Sequence, residues 1–395
     1  MTVDVDEILR PWFDALMDEA GRPALFDTHT HFGQHDPDGF RQTLEELMAS
    51  LACVNARGLV FPMHEPDGYS TANDAALEAA AASDGRLRAL CRVQPRDAGA
   101  LEEARRCLEG GAVGIKLHPR AEAFGMDEPV VRDLMALAHE RHAIVLMHAG
   151  RGIEALGTNT IEYSKQFPDA QLILAHCAIS DLAWLVRELP AHPNVYIDTS
   201  WWHPADILAV LCLAPPGQVL WASDSPYGQP LPGVINTLCC ALEAGLTHEQ
   251  IAGVFGGQIE RLVSRQQPLQ LGPAPGPPGP LDLLLERVVA HLSTAMGRAF
   301  AGTSLTESLG LARLAAGVGD DHPHSDVFAA ILWLLDLFEE HLAPPPPGRA
   351  FPPAGRFIVA ALVLARTPSA ALPPQFATVA GSAGHAHAQR GNAAG

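Results

Sequence analysis

Two histidines and an aspartate stand two residues apart near the start of the sequence. The segment FDTHTHFGQH carries Asp27, His29 and His31, and its apolar and polar residues alternate as in a β-strand. Residues two apart on a strand point to the same face, so these three side chains are expected on one side. We therefore take this segment as the start of a candidate chemical site.

Further polar residues end later apolar runs in the same way. They are His118 after GIKL, His148 after AIVLM, His176 after QLILA and Asp224 after VLWAS. Any one of these histidines could have an ordinary structural role. Together they are hard to explain by packing, because each buried polar group needs a partner.

A divalent metal would supply that partner. Neutral imidazole with carboxylate is typical of zinc, and manganese, iron or cobalt are alternatives on ligand type. A site with an open position for water would be catalytic rather than structural. The residues predicted to bind the metal are His29, His31, His148 and Asp224, with His176 in the same site.

The elements that would position these residues alternate along the chain between residues 20 and 265. Eight runs have strand character: ALFDTHTH, RGLVFP, RLRALCRVQP, AVGIKLHP, AIVLMHAG, QLILAHCA, NVYIDTS and QVLWASDSP. Helices are predicted between them, for example at 40–54, 71–82, 98–109, 128–141, 161–167 and 181–188. This order predicts an α/β fold, a (β/α)₈ TIM barrel, in which the carboxyl ends of all strands meet at one mouth.

The rest of the chain differs from the barrel in composition. Residues 266–280 are rich in proline and glycine and predict a linker, so the barrel is assigned to residues 1–265. Residues 281–366 contain three apolar segments of helical period, LDLLLERVVAHLSTAM, DVFAAILWLLDLFEEHL and GRFIVAALVLAR, which predict a small helical module. Residues 367–395, rich in alanine, glycine and proline, are expected to form a disordered tail.

Composition and charge favour a protein that acts on small molecules. Of the 395 residues 48% are hydrophobic and 18% charged, and the net charge of -19 disfavours nucleic acid and anionic membranes as partners. The start of the chain does not read as a signal peptide, and the seven cysteines form no CxxC pair, so we expect reduced thiols and a cytoplasmic protein. A homo-oligomer is compatible with the sequence.

With these motifs in place, residues 25–263 resemble the amidohydrolase superfamily, and within it the amidohydrolase-related group that includes the aminocarboxymuconate semialdehyde decarboxylase-like enzymes. The matching features are the HxH pair after the first strand, histidines after strands five and six, and an aspartate after strand eight. Two features depart from the pattern. Gln258 stands where relatives often have asparagine, and the helical module has no counterpart that we can place.

The resemblance implies a mononuclear site in which His29, His31 and His148 supply nitrogen ligands. Asp224 would complete the shell or lie against the bound water, and would accept the water's proton. His176 would stabilise or protonate the developing charge, so Asp224 and His176 are the expected catalytic residues. Some superfamily members bridge two metals with a carboxylated lysine on strand four. Lys116 is the lysine at that place, although it could instead pair with Asp27.

Seven residues at or after strand ends would line the mouth. Four of them are the candidates for substrate binding, Arg92, Arg120, Trp201 and His203, and the others are Gln94, Arg151 and Trp202. Arginine beside tryptophan suits a carboxylated, planar or aromatic ligand, while the alternative is that the arginines are solvated loop residues. Three functions stay open. The first is a metal-dependent hydrolase of a carbon–oxygen or carbon–nitrogen bond, the second is a non-oxidative decarboxylase, and the third is a non-catalytic barrel used as a binding scaffold.

Overall fold

The computed structural model describes residues 4–348 and 351–376. Its centre is a parallel eight-stranded sheet in the sequential order β1 to β8. The strands are β1 (Phe26–Phe32), β2 (Arg57–Pro62), β3 (Leu87–Arg92), β4 (Gly114–Leu117), β5 (Ile144–Met147), β6 (Gln171–Leu174), β7 (Val195–Asp198) and β8 (Val219–Leu220). All eight correspond to runs predicted from the sequence.

The barrel closes between β1 and the chain that follows β8. Asp224 N donates to His29 O over 3.0 Å, and His31 N donates to Ser225 O over 2.8 Å. These bonds continue the sheet past the short strand β8 and bring the segment carrying Asp224 against the histidine pair. The predicted (β/α)₈ TIM barrel is confirmed.

The inside of the barrel is apolar in its lower part and polar at the mouth. The apolar layer contains Phe26, Leu59, Phe61, Leu90, Ile144, Leu146, Ile173, Ala175, Tyr196 and Leu220. Ile259 and Leu262, on a helix that follows β8, pack into the same layer. Buried polar residues occur at the carboxyl ends of the strands, among them Arg92, Lys116 and Asp198. This is the end of a (β/α)₈ barrel at which active sites lie.

Helices cover the outside of the barrel. They are α2 (Leu44–Cys53), α3 (Ser70–Ala82), α4 (Ala100–Glu109), α5 (Pro129–Glu140), α6 (Leu156–Gln166), α7 (Leu182–Glu188) and α8 (Pro204–Leu213). The predicted helices are present with shifted ends. Helix α2 begins later than predicted because Thr43 and Glu46 form a capping box at its start, and α6 begins earlier, at Leu156.

The remaining barrel helices are α1 (Val5–Glu19), α9 (Pro230–Glu243), α10 (His248–Ala252) and α11 (Gln258–Val263). Gln258, the residue that replaces the asparagine of relatives, is buried. Its Nε2 donates to Gly217 O over 2.6 Å and its Oε1 accepts from Leu269 N over 2.7 Å. Gln258 therefore ties the proline-rich segment to the base of the barrel.

The module after residue 280 consists of α12 (Leu283–Phe300), α13 (Thr306–Ala316), α14 (Ser325–Glu340) and α15 (Gly355–Arg366). Three of these helices match the predicted segments, while α13 lies where no helix was named. Helix α15 packs on α14 and α12 and also on α8 and α9 of the barrel. Its buried face belongs to the same apolar core as the outer barrel helices.

The chain stays packed beyond α15. Trp12 Nε1 donates to Ala371 O over 2.7 Å, and Gln375 Nε2 donates to Ile8 O over 2.7 Å, so residues 367–376 lie against α1. The rest of the predicted tail, 377–395, lies outside the described residues. The division into barrel, linker and module stays a prediction.

Two further features concern the chain as a whole. In the described ranges no helix combines the length and the apolar character that crossing a bilayer requires. The seven cysteines all fall within the described ranges and are free thiols.

Candidate metal centre

Strand β1 carries the histidine pair past an irregularity. The register of β1 against β2 shifts by one residue between Asp27 and Thr30, as in a β-bulge. Phe26 thus lies in the apolar layer, while His29 and His31 are buried at the mouth among polar groups. The bulge turns the two imidazoles towards the end of the barrel where the other strand ends converge.

Both ring nitrogens of His29 have polar contacts. Nδ1 lies 2.9 Å from Asp198 Oδ2, and Nε2 lies 3.3 Å from Asp224 Oδ1 and 3.3 Å from Lys116 Nζ. Burial, with the positive charge of Lys116, holds the pKa of His29 well below its usual range. The ring is therefore neutral at pH 7, which is the state that binds metals.

Asp224 links the two histidines of β1. Its Oδ1 lies 3.3 Å from His29 Nε2 and 3.4 Å from His31 Nε2, and its Oδ2 lies 4.0 Å from His176 Nδ1. The residue has a left-handed backbone with φ of 60°, and its side chain is 19% exposed. Burial raises the pKa of Asp224 well above its usual range, so this carboxylate is a stronger base than one in water.

A hydrogen-bonded chain joins the histidines after strands five and six. His176 Nδ1 donates to the carbonyl of Ser200 over 2.7 Å, because a carbonyl can only accept. In the neutral ring Nε2 is then an acceptor, and it lies 2.9 Å from His148 Nδ1, which must donate. His148 Nε2 is left as a bare acceptor, buried and without a hydrogen-bond partner in the described part of the chain.

This donor set fits a divalent cation. Within the described ranges one group of three metal-binding side chains stands out: ligand atoms of His29, His176 and Asp224 all lie within 4.8 Å of one another. The bare, buried Nε2 of His148 is an unsatisfied atom of the kind that a metal satisfies. Neutral imidazoles and a carboxylate are the ligand types that zinc prefers.

The structure brings together all five residues expected at the metal: His29, His31, His148, His176 and Asp224. The group of three contains His176, which the sequence assigned to proton transfer, and omits His31 and His148. His31 instead contacts Asp224, and His148 contacts His176 and stacks on His118 with ring centroids 3.8 Å apart. The division of these five into ligands and catalytic residues stays a prediction.

Asp198 and Ser200, at the end of β7, belong to the site and were missed by the sequence analysis. Asp198 is fully buried; besides contacting His29, it accepts hydrogen bonds from the backbone N–H groups of His176 (2.9 Å) and Ser200 (3.0 Å). The sequence does indicate Asp198, because it lies third from the end of the predicted strand NVYIDTS, just as Asp224 lies third from the end of QVLWASDSP.

Lys116 and Asp27 are buried close to the same centre. Lys116 Nζ contacts His29, and burial, together with the charge of Arg92, lowers the pKa of Lys116 to about 7. Asp27 Oδ1 accepts from His29 N over 3.1 Å and Ser223 N over 2.9 Å, and burial raises the pKa of Asp27 to about 7. Its Oδ2 has no hydrogen-bond partner among the described residues, so Lys116 does not pair with Asp27 here.

Arg92, expected to bind substrate, forms a buried ion pair. Its Nε and Nη2 donate to Glu122 Oε1 over 2.9 and 2.6 Å, and both side chains are 2% exposed. Tyr69 OH donates to the same oxygen over 2.6 Å. The guanidinium thus already has a partner of opposite charge inside the protein.

The other candidates for substrate binding lie in different surroundings. Trp201 lies beside His176, with ring centroids 6.3 Å apart, and the Arg151 guanidinium lies 5.8 Å from the Trp201 ring. Arg120 is exposed. His203 Nδ1 accepts from Ala205 N at the start of α8, and its Nε2 lies 2.9 Å from Ser293 Oγ of α12.

An open cavity of about 470 Å³ adjoins Arg151. Its lining consists of Arg151, Gly152, Ile153, Glu154, Ile179 and Ser180. These residues follow strands five and six, the strands that carry His148 and His176. None of the five metal-site residues lines this cavity, and the substrate-binding roles stay predictions.

Comparison with known proteins gives one family. The amidohydrolase family model matches residues 26–264, which is more than half of the 395 residues. No curated protein matches this sequence.

Several solved structures are similar to this chain. 5-carboxyvanillate decarboxylase from Sphingomonas paucimobilis is similar with a TM-score of 0.50 and 16% identity, over 61% of this chain and 99% of its own. 2,6-dihydroxybenzoate decarboxylase from Rhizobium has a TM-score of 0.47 and 12% identity, over 62% of this chain and 99% of its own. 4-oxalomesaconate hydratase from Rhodopseudomonas palustris has a TM-score of 0.46 and 15% identity, over 61% and 96%. At 16% identity, the similarity to the 5-carboxyvanillate decarboxylase shows a common fold and nothing more specific.

Proposed function

This chain belongs to the amidohydrolase family, and on that premise we propose that it is a metal-dependent hydrolase that cleaves a carbon–oxygen or carbon–nitrogen bond of a small molecule. The observation that carries the proposal is the position of Asp224 at the mouth of the barrel, where its Oδ1 lies 3.3 Å from His29 Nε2 and 3.4 Å from His31 Nε2, and its Oδ2 lies 4.0 Å from His176 Nδ1. Burial keeps the imidazoles neutral and ready to bind a cation.

His29, His31, His148 and Asp224 would hold one divalent metal, most simply zinc. Nε2 of His29 and Nε2 of His31 both face Asp224 Oδ1, at 3.3 and 3.4 Å. His148 also has a bare Nε2, but this atom faces Gly150 and lies outside the group of three, so the ring would have to turn to bind the same metal. When bound, a divalent metal there supplies Lewis-acid chemistry, polarising the substrate and lowering the pKa of a water molecule.

Asp224 and His176 would move protons. Asp224 takes a proton from the attacking water on its partly exposed carboxylate, and the raised pKa lets it hold that proton. His176, whose Nδ1–H donates to the Ser200 carbonyl, has its Nε2 2.9 Å from His148 Nδ1 and would take up or give a proton at this nitrogen. Positioned groups of this kind typically contribute about a hundredfold to ten-thousandfold.

A non-oxidative decarboxylase is the second candidate. Arg151 lies over the Trp201 ring next to His176, an arrangement that suits a planar substrate with a carboxylate. In that reaction His176 would give a proton to the carbon atom that loses carbon dioxide. Because the hydrogen of the neutral ring is held on Nδ1 by the Ser200 carbonyl, Nε2 would first take up a proton from solvent.

Metal analysis and Asp224→Asn test the proposal. We expect about one transition metal per chain, because the three imidazoles and the Asp224 carboxylate form one set of ligands. A screen of lactones, amides and aromatic carboxylic acids identifies the substrate, and release of carbon dioxide without hydrolysis would favour the decarboxylase.

Asp224→Asn keeps the size of the side chain and removes its negative charge. Hydrolysis at neutral pH should then fall by at least about a hundredfold, the low end for loss of a positioned base. The matched control is Asp169→Asn, a similar change in an exposed carboxylate just before β6, at the opposite end of the barrel. Near-normal turnover by Asp224→Asn on the identified substrate would contradict the mechanism.

A further inference from the structure

We propose that Asp198 is a positioning residue, which fixes the tautomer of His29 and at the same time the turn that carries His176. The inference rests on the proposed function, because it assumes that His29 binds the metal through Nε2. Its basis is the set of contacts made by one buried carboxylate at the end of β7.

The tautomer of His29 follows from what surrounds Nδ1. Asp198 Oδ2 lies 2.9 Å from Nδ1, and a carboxylate oxygen can only accept. Ser200 Oγ lies 3.3 Å from the same nitrogen. Ser200 donates its single hydroxyl hydrogen to Asp198 Oδ1, so towards His29 it also accepts. On the other side of the ring, Nε2 has the Asp224 Oδ1 acceptor at 3.3 Å and the Lys116 Nζ donor also at 3.3 Å. Because Asp198 is the closer carboxylate, Nδ1 carries the hydrogen, and Nε2 accepts from Lys116 and is bare, which is the state that a metal ligand needs.

The second oxygen of Asp198 holds the neighbouring strand end. Oδ1 accepts from His176 N over 2.9 Å, from Ser200 N over 3.0 Å and from the Ser200 hydroxyl. His176 has a left-handed φ of 56°, as do the next two residues, with φ of 57° and 48°. Such conformations are costly and persist only where the surroundings impose them. The hydrogen bond from His176 N to Asp198 is part of that constraint.

These contacts make Asp198→Asn an informative change. An asparagine has one acceptor oxygen in place of two. Three donors lie on the side of Oδ1, namely His176 N, Ser200 N and the Ser200 hydroxyl. The amide oxygen should keep those three donors, and the amide NH₂ should face His29 Nδ1. A donor at that position favours the other tautomer, in which Nδ1 accepts and the hydrogen sits on Nε2. Nε2 is then blocked as a ligand.

The first measurement uses zinc and the full-length protein. Zinc affinity is determined by competition with a chromophoric chelator for the wild type, Asp198→Asn and the control Asp169→Asn. We expect Asp198→Asn to bind zinc about 10- to 100-fold more weakly, as for loss of a carboxylate that orients a ligating histidine, and Asp169→Asn to match the wild type. Affinity within about threefold of the wild type in Asp198→Asn would overturn the inference.

The second measurement needs neither metal nor turnover. Selective ¹⁵N labelling of histidine in the metal-free protein reports the tautomer of each ring, and loss of one signal set in His29→Gln assigns His29. The wild type should show hydrogen on Nδ1 of His29, and Asp198→Asn should show it on Nε2. The opposite tautomer in the wild type would refute the inference even if Asp198→Asn failed to fold. If the wild type has the stated tautomer but binds no zinc, the proposed function fails while the tautomer assignment stands.

Discussion

The ion pair between Arg92 and Glu122 should be a structural element of the barrel mouth rather than a substrate contact. Both side chains are 2% exposed, and Arg92 directs two nitrogens to Glu122 Oε1. Arg92 Nη1 also lies 3.3 Å from Pro62 O, at the end of β2. The Asn73 side chain makes two hydrogen bonds to the Arg92 backbone: its Oδ1 accepts from Arg92 N over 2.8 Å, and its Nδ2 donates to Arg92 O over 3.0 Å. The residue therefore joins β2, β3 and the segment after β4.

Arg92→Met tests this interpretation. The substitution keeps much of the aliphatic volume but leaves the Glu122 carboxylate buried, with the Tyr69 hydroxyl as its remaining hydrogen-bond donor among those described above. Breaking a buried pair by removing one partner costs about 3–5 kcal/mol. That is a large part of the about 5–15 kcal/mol by which a domain is typically stable. Urea unfolding, followed by tryptophan fluorescence, should show a lower midpoint with an unchanged slope.

The double variant separates the two roles of Arg92. Arg92→Met combined with Glu122→Leu removes both charges, and it should recover most of the stability lost in Arg92→Met alone, because no unpaired charge stays buried. If Arg92 instead binds a substrate carboxylate, both variants should raise KM by a similar large factor. A loss of less than about 1 kcal/mol, the value of an exposed pair, together with a large rise in KM, would refute the structural interpretation and restore the sequence-based one.

Three further predictions concern the metal and the module. His176→Ala should keep most of the zinc and lose activity by at least about a hundredfold, because a proton-transfer group is removed while four donors stay; loss of zinc would place His176 among the ligands. Lys116→Ala should leave the zinc content at one per chain, whereas a fall from two equivalents to one would indicate a bridging lysine. Deletion after Val263 removes α15, which packs on α8 and α9, and so exposes the apolar surfaces of these two helices. The shortened protein should therefore aggregate on size-exclusion chromatography, whereas a monodisperse, zinc-binding fragment would show that the barrel folds alone.

The barrel could be predicted because its signal repeats eight times. Each strand is a short apolar run, and each is followed by a segment of helical period, so errors at single boundaries do not change the topology. The boundaries themselves depend on local capping. The start of α2 at Leu44 is set by the hydrogen bonds of Thr43 and Glu46, which a hydrophobic pattern does not show.

The site was predictable where strand alternation continues to the last residue. His148 follows Ile144 and Leu146, which face the barrel interior, and Asp198 follows Tyr196 in the same way. Asp198 therefore follows from the rule that selected Asp224, although the sequence analysis did not include it. His176 is different. By the alternation of strand β6, His176 would point to the same side as Leu172 and Leu174, which face the outer core. It lies in the site at the mouth instead because its backbone is left-handed.

Arg92 shows why side-chain partners are harder to predict than strand ends. Its place at the end of β3 was identified correctly, but its partner Glu122 lies in the segment after β4, thirty residues away. No periodic pattern marks that segment. Whether an arginine at a barrel mouth is free to bind substrate depends on such a loop, and only the folded chain determines it.

The C-terminal module reaches the site through the loop between β7 and α8. This loop contains Ser200 and Trp201, which contact His176, and continues to Trp202 and His203. The Trp202 ring lies 5.2 Å from Phe300, and His203 lies 2.9 Å from Ser293. Both partners belong to α12, outside the segment matched by the family model. The loop that contacts His176 therefore packs against residues of the module, Ser293 and Phe300, as well as against the barrel. The position of Trp201 beside His176 thus depends on the module as well as on the barrel, although none of the five predicted metal-site residues lies in the module.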